Sequence, residues 1–370
     1  MMRTPPHSFH PKRCLFMRAY AVFPDDTTIH EVEVPVPAPE GSSVLLRVLR
    51  AGVCHTDTHL REGGYDLGSK GMMNMKDRGV EYPMVLGHEV VGIVEQVGEA
   101  VDTVRPGDVR LIYPWIGCGE CRQCRSGHDN SCATGRNLGV ARHGGYAEYV
   151  LVPDAKYLVD IDGLDPSWAA TLACSGLTAH SAVDRILPLE PDEPVVVFGA
   201  GGLGLTAIAI LRARGHRAIC AVDRADQNLS LARDMGASAT VLSGSDTTAR
   251  DVRRAVGGPA GAVIDFVNNG ATATLGFEVL AKAGIMVQVG LFGGEFTVPT
   301  ALLALRMIRL EGSFVGTLDQ LRDLVRIAQT GQIPTIPIAE RALSAAEVTR
   351  ALDELTAGGV AGRIVLTTPH

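Results

Sequence analysis

The chain has 370 residues, 46% hydrophobic and 20% charged, with a formal net charge of -7 and a pI near 5.9. An acidic balance lacks the basic stripe of a phosphate-backbone binder, so nucleic acid is not an expected partner. No apolar run reaches the roughly 18 residues of a membrane span, and the length exceeds what one hydrophobic core usually serves, so two domains in the cytoplasm are expected, with no membrane contact.

Residues 1–16, MMRTPPHSFHPKRCLF, are basic in character but lack the apolar core of a secretory signal. They read as a loose extension before a natural first strand, RAYAVF. From residue 17 to about 160, short β-type runs are separated by Gly and Pro: RAYAVF, SVLLRVLRAGV, EVVGIVEQVG, GDVRLIY and GYAEYVLVP. That spacing predicts an antiparallel, barrel-like β domain.

Three chemical signals lie in or just after this stretch. The first is CHTDTH, Cys54 to His59, which packs a thiol, two imidazoles, two hydroxyls and a carboxylate into one loop after an apolar run. The second is Gly87-His88-Glu89, before the strand VVGIV, and with it Cys174 in LACSGLTAH. Two thiolates and one imidazole, from Cys54, His88 and Cys174, make a catalytic zinc shell with a fourth position open to water or substrate. The third is Cys118-x2-Cys121-x2-Cys124-x7-Cys132. Four thiolates in one lobe close tetrahedrally around Zn2+ and leave no open position, which makes that site structural; an iron-sulfur cluster is the competing four-cysteine reading. Closely spaced cysteines in a cytosolic chain are metal ligands more often than disulfides.

Near residue 178 the rhythm changes. PVVVFGAG leads into GLGLTAIAILRARG and AICAVD into NLSLARDMG, followed by ATVL, AVIDFV, IMVQVG and LEGSFV between helix-length stretches. Continuous apolar strands alternating with helices imply a parallel sheet covered on both faces, a doubly wound α/β arrangement. The turn Gly199-Ala200-Gly201-Gly202-Leu203-Gly204 follows VVVF and opens an apolar helix, and Asp223 lies nineteen residues after Gly204 at the end of AICAVD. That is the dinucleotide arrangement, in which glycines admit the pyrophosphate to the helix N-terminus and the carboxylate binds a ribose 2'-hydroxyl. An ionised Asp223 would repel a 2'-phosphate, which predicts NAD over NADP, although Arg224 beside it works the other way.

Taken together, the GVCHTD segment, the GHE triplet followed by VVGIVEQVG, the CGECRQC lobe, the GAGGLG turn with Asp223 and the closing GRIVL resemble, in that order, the zinc-dependent medium-chain alcohol dehydrogenases. The resemblance runs from about Met17 to the C-terminus. It implies a β-rich, GroES-like catalytic domain from residues 17–177 and 313–370 and an NAD-binding Rossmann domain from 178–312. It also implies two Zn2+ per chain, a small alcohol, aldehyde or ketone as substrate, and a homodimer or homotetramer. Carried over by position, Cys54, His88 and Cys174 would hold the catalytic zinc, with Glu89 close by, and Cys118, Cys121, Cys124 and Cys132 the structural one. Thr56 would take the proton of the reacting alcohol, Asp57 would orient the ligating histidine, and His59 would end the proton relay. Arg363, and with it His55, would contact the cofactor pyrophosphate. A polyol or other specialised hydroxy-metabolite dehydrogenase of the same family is the alternative activity, and a non-catalytic binding protein on this fold is the alternative from another class.

The stretch between Cys54 and His88 is longer than in the common forms of that family, the excess lying in GGYDLGSKGMMNMKDRGVEYP. Either this is an exposed loop outside catalysis or, anchored at both ends near the metal, it lines the substrate entrance. Trp115, three residues before the four-cysteine lobe, is either an aromatic wall of the pocket or a core residue.

Overall fold

The structure, a computed structural model, describes residues 15–368. Cys14 and most of the expected extension 1–16 lie outside the described residues. The strands of the first part are β1 (Phe16–Val22), β2 (Ile29–Pro35), β3 (Val44–Gly52), β4 (Gly64–Asp66), β5 (Met72–Asn74), β6 (Met84–Val85), β7 (Glu89–Val97), β8 (Val109–Ile112), β9 (Tyr149–Val152) and β10 (Leu158–Asp160). In β2, IHEVEVP, half-buried His30, Val32 and Val34 alternate with exposed Glu31, Glu33 and Pro35, because only one face meets the core. Strand β3, VLLRVLRAG, is nearly all buried because neighbours cover it on every side: β7 and β9 both pair with it, antiparallel.

The expected run GYAEYVLVP is a strand only from Tyr149 onward. Its first half leaves that ladder, and Gly144, Gly145 and Tyr146 hydrogen-bond instead to Val85, Gly87 and Leu86. The long segment before His88 is likewise structured, β4 and β5 forming an antiparallel hairpin.

The second part carries β11 (Val195–Phe198), β12 (Ile219–Asp223), β13 (Ala239–Leu242), β14 (Ala260–Asp265), β15 (Leu280–Gln288) and β16 (Arg309–Gly312), all paired in parallel in the order β13-β12-β11-β14-β15-β16. Alternate residues serve opposite faces: Val195, Val197, Ala262 and Ile264 join the large core cluster, whereas Val196, Phe198, Val263 and Met286 join a second one. Helices therefore cover both faces, and the strand order reverses between β11 and β14, where ligands of such sheets bind.

The chain then returns to the first part with β17 (Ile338–Ala342) and β18 (Arg363–Thr367), a parallel pair, and β18 lies antiparallel on β3 with Val365 opposite Gly52. This return strand delivers Arg363 between the two parts. Among the described residues no helix is long and apolar enough to cross a membrane.

Candidate active site

Strand β3 runs into Cys54, the N-cap of the helix His55–Glu62, and the Cys54 N–H donates to Asp57 Oδ2 at 3.1 Å. Gly52 is required just before it: a Cβ there would lie 2.1 Å from Glu89 Oε2. His88 follows Gly87, whose φ of 87° belongs to the left-handed region. Asp57 Oδ1 accepts from the Gly87 N–H at 3.1 Å and meets His88 Nδ1 at 3.2 Å. With Nδ1 so engaged, His88 Nε2 is buried with no partner among the described residues. Cys174 sits in a single π-helical turn, Leu172–Gly176, between two helical segments. Such turns are rare and recur at functional sites.

The ligand atoms of Cys54, His88 and Cys174 all lie within 4.8 Å of one another, and the two sulfurs are 3.9 Å apart. An orphaned imidazole nitrogen facing two thiols has the donor chemistry for Zn2+, and all three residues are buried. A hydrogen bond with Cys174 chiefly lowers the Cys54 thiol pKa and raises that of Cys174. Glu89 lies outside this three-ligand cluster: Oε1 accepts the Ser175 N–H at 3.0 Å and Oε2 the Arg363 guanidinium. Burial raises its carboxyl to about 7, against the opposing pull of Arg363.

Cys118, Cys121, Cys124 and Cys132 form the second cluster, again within 4.8 Å. Cys121 caps the short helix Arg122–Arg125, and backbone N–H groups point at sulfur, Cys118 to Cys132 at 3.3 Å and Cys121 to Cys118 at 3.4 Å. Backbone N–H donors, those of Glu120 and Cys121 foremost, hold the Cys118 thiol down at about 6, which suits a metal-ligating lobe.

On the parallel sheet, Gly199 turns the chain at φ 85°, and a Cβ on Gly204 would lie 1.9 Å from the Gly199 carbonyl oxygen. A Cβ on Gly202 would strike Arg363 Cδ at 2.3 Å, so that guanidinium stem lies across the helix start. At Gly201 a Cβ would meet nothing within 4 Å among the described residues. The space beside it belongs to the cavity, a cradle that fits a cofactor pyrophosphate. Asp223 ends β12 with Oδ2 accepting from the Ala200 N–H at 2.7 Å and Oδ1 from the Ala225 N–H at 2.9 Å.

One cavity of about 550 Å3 joins these parts: Cys54, His55, Thr56, His59 and Cys174, the Gly199–Gly204 turn with Leu203, Asp223 with Arg224, and Arg363 all line it. His59 packs on Tyr65 of the hairpin at 4.6 Å between centroids and His55 on Phe292 at 5.1 Å, and burial lowers both imidazoles below the usual histidine range. Thr58 Oγ1 donates to the His55 carbonyl at 2.8 Å, a local bond within the helix. Trp115 is 1% exposed, its ring 5.5 Å from those of His88 and Phe314 and its Nε1–H on the Ala173 carbonyl; it backs the histidine rather than facing the cavity. Leu291, Phe292 and Phe314 line the cavity and carry no signal in the sequence, being ordinary apolar letters after strands.

Residues 40–163 match the alcohol dehydrogenase GroES-like domain family and residues 202–330 the zinc-binding dehydrogenase family. The chain is 38% identical over 336 residues to an NAD-dependent alcohol dehydrogenase of Sulfurisphaera tokodaii, covering 90% of this chain and 95% of that one. It is 36% identical to an NAD-dependent alcohol dehydrogenase of Saccharolobus solfataricus, with 90% and 95% covered. The crystal structure of the alcohol dehydrogenase from Aeropyrum pernix superposes with a TM-score of 0.85 at 30% identity, covering 95% of this chain and 99% of that one. With both halves matched and relatives aligned along nine-tenths of its length, the chain belongs to the zinc-dependent medium-chain alcohol dehydrogenase family.

Proposed function

We propose that the chain catalyses reversible hydride transfer between a primary or secondary alcohol and NAD, giving an aldehyde or ketone. The observation that carries this reading is the single cavity lined both by two thiols of the three-ligand cluster and by the glycine turn with Asp223. Cys54, His88 and Cys174 would hold a catalytic zinc and the four-cysteine lobe a structural one, two per chain. A zinc with an open position supplies Lewis acidity that brings a hydroxyl pKa towards neutrality.

The chain's own residues do the rest. Thr56 takes up the proton of the reacting alcohol and His59, largely neutral at pH 7, accepts it at the far end of the relay. Asp57 orients His88. Arg363, fixed by Glu89, sets its positive charge beside Gly202 where a pyrophosphate would lie, with His55 across the cavity. Asp223, held by two backbone N–H groups, binds the ribose hydroxyls and disfavours NADP. Seven free cysteines among the described residues, six of them in ligand clusters, fit a reducing cytoplasm. The catalytic domain would comprise 17–177 and 313–370 and the Rossmann domain 178–312, and two copies would associate through the β16 edge.

Metal analysis and NADH formation test this together. The purified chain should hold two zinc ions and reduce NAD with simple alcohols, more efficiently than NADP. Cys54→Ser should retain one zinc and lose turnover. A variant that kept both zinc ions would remove Cys54 from the catalytic site.

A further inference from the structure

Tyr146 has no place in the scheme so far. Its segment is tied residue by residue to the chain leading to His88: Gly144 N–H to Val85 O at 2.8 Å, Tyr146 N–H to Leu86 O at 3.0 Å, and Gly145 N–H to Gly87 O at 2.7 Å. The side chain is fully buried, and its ring explains Gly87, where a Cβ would lie 2.4 Å from Tyr146 Cδ1. Its hydroxyl is 3.0 Å from Asp57 Oδ2 and 3.3 Å from the Gly52 carbonyl oxygen. A phenol has one proton to give, and the nearer, anionic acceptor makes the stronger bond.

That bond completes the surroundings of Asp57. Oδ1 takes the Gly87 N–H and His88 Nδ1; Oδ2 takes the Cys54 N–H and the Tyr146 hydroxyl. An ionised carboxylate has about four acceptor sites, so this one is saturated. Without the phenol, Oδ2 keeps only the Cys54 N–H, and the carboxylate can rotate away from His88 Nδ1. The grip on Nδ1 is what fixes the ring and leaves Nε2 bare towards the thiols.

We propose that Tyr146 is a positioning residue for the metal centre, acting through Asp57 to hold His88 in its ligating orientation. This rests on the reading of Cys54, His88 and Cys174 as one zinc site. Tyr146→Phe keeps the ring against Gly87 and removes the hydroxyl alone. Release to a chelator of the zinc that Cys54→Ser lacks should become about tenfold faster or more, and the absorption bands of the Co2+-substituted site should shift. In an Asp57→Asn background the same substitution should add nothing. Unchanged release and spectrum, an equal effect in both backgrounds, or a chain that no longer folds would each overturn the proposal, the last two by showing a packing role. Wild-type protein holding no zinc at these three residues would overturn the site itself before any variant is made.

Discussion

Thr56 and His59 lie three positions apart on the helix His55–Glu62, so they share a face, and that face lines the cavity while Asp57, Thr58 and Leu60 turn inward. Burial is the largest influence on His59 and lowers its pKa from 6.5, only partly opposed by Glu62 and Cys54. The imidazole is therefore free to accept a proton at pH 7 and loses that capacity only as pH falls through a value below 6.5. His59→Gln should lower kcat by about 10- to 100-fold at pH 6 and by less at pH 9, where hydroxide substitutes for the lost base. A loss independent of pH in steady-state profiles would take His59 out of the relay. At this scale the clustering of candidate ligands was legible where they crowd locally, as in CHTDTH and the CGECRQC lobe. It was silent on Tyr146, which meets Asp57 across 89 residues, because nothing in the local pattern GGYAEYV distinguishes a strand tyrosine from one whose hydroxyl caps a carboxylate.

Among the elements, the hairpin β4–β5 shows how an apolar, glycine-rich segment acquires a role from what it touches. Met75 and Val80 at its base are buried, so the segment is not a free loop. Its tip reaches the parallel-sheet part: Ser69 Oγ donates to Glu295 Oε2 at 2.8 Å, and a Cβ on Gly293 would lie 2.6 Å from Asp66 Cβ. Phe292, adjoining this contact, lines the cavity, and Tyr65 of the hairpin packs on His59, so the hairpin lies beside the cavity without lining it. A single exposed hydrogen bond contributes about 0.5–1.5 kcal/mol. Glu295→Ala should accordingly speed NADH dissociation about two- to tenfold, read by stopped-flow fluorescence, with zinc content unchanged; an unaltered rate would leave the hairpin a passive cover. The sequence marked this segment as an insertion but gave no pairing for it, since a two-stranded ribbon with Gly at both ends lacks the alternation that identifies longer strands. The central strands of the parallel sheet, β11, β12 and β14, were legible by contrast because burial on both faces makes each a nearly continuous apolar run, whereas β13 and β16 at its edges are half-buried or exposed.

For the molecule as a whole, the parallel sheet ends at β16, which among the described residues pairs with β15 on one side only. An edge strand with free backbone groups is normally charged, short or covered. Here the helix Thr300–Arg306 beside it has no buried residue, and Leu302, Leu305, Met307 and Leu310 are exposed, Leu305 by 70% and Met307 by 56%. Several exposed large apolar side chains beside an unpaired strand are the kind of surface through which chains associate. On the association proposed above, a second copy of the same surface, related by a two-fold axis, would satisfy both the strand and the apolar helix, with β16 of one protomer antiparallel to β16 of its partner. Such a join would also hold the 313–316 loop, and with it Phe314 of the cavity, in place from behind. Leu305→Lys puts a charge at the centre of that patch without touching any cavity residue, and the loss of an apolar anchor costs about 2 kcal/mol or more, roughly a 30-fold rise in the dimer dissociation constant. Sedimentation velocity should show a dimer, or a tetramer built from dimers, for the wild-type chain and a shift towards monomer at low concentration for Leu305→Lys; an unchanged profile would place the interface elsewhere and leave the β16 edge to be covered by another partner.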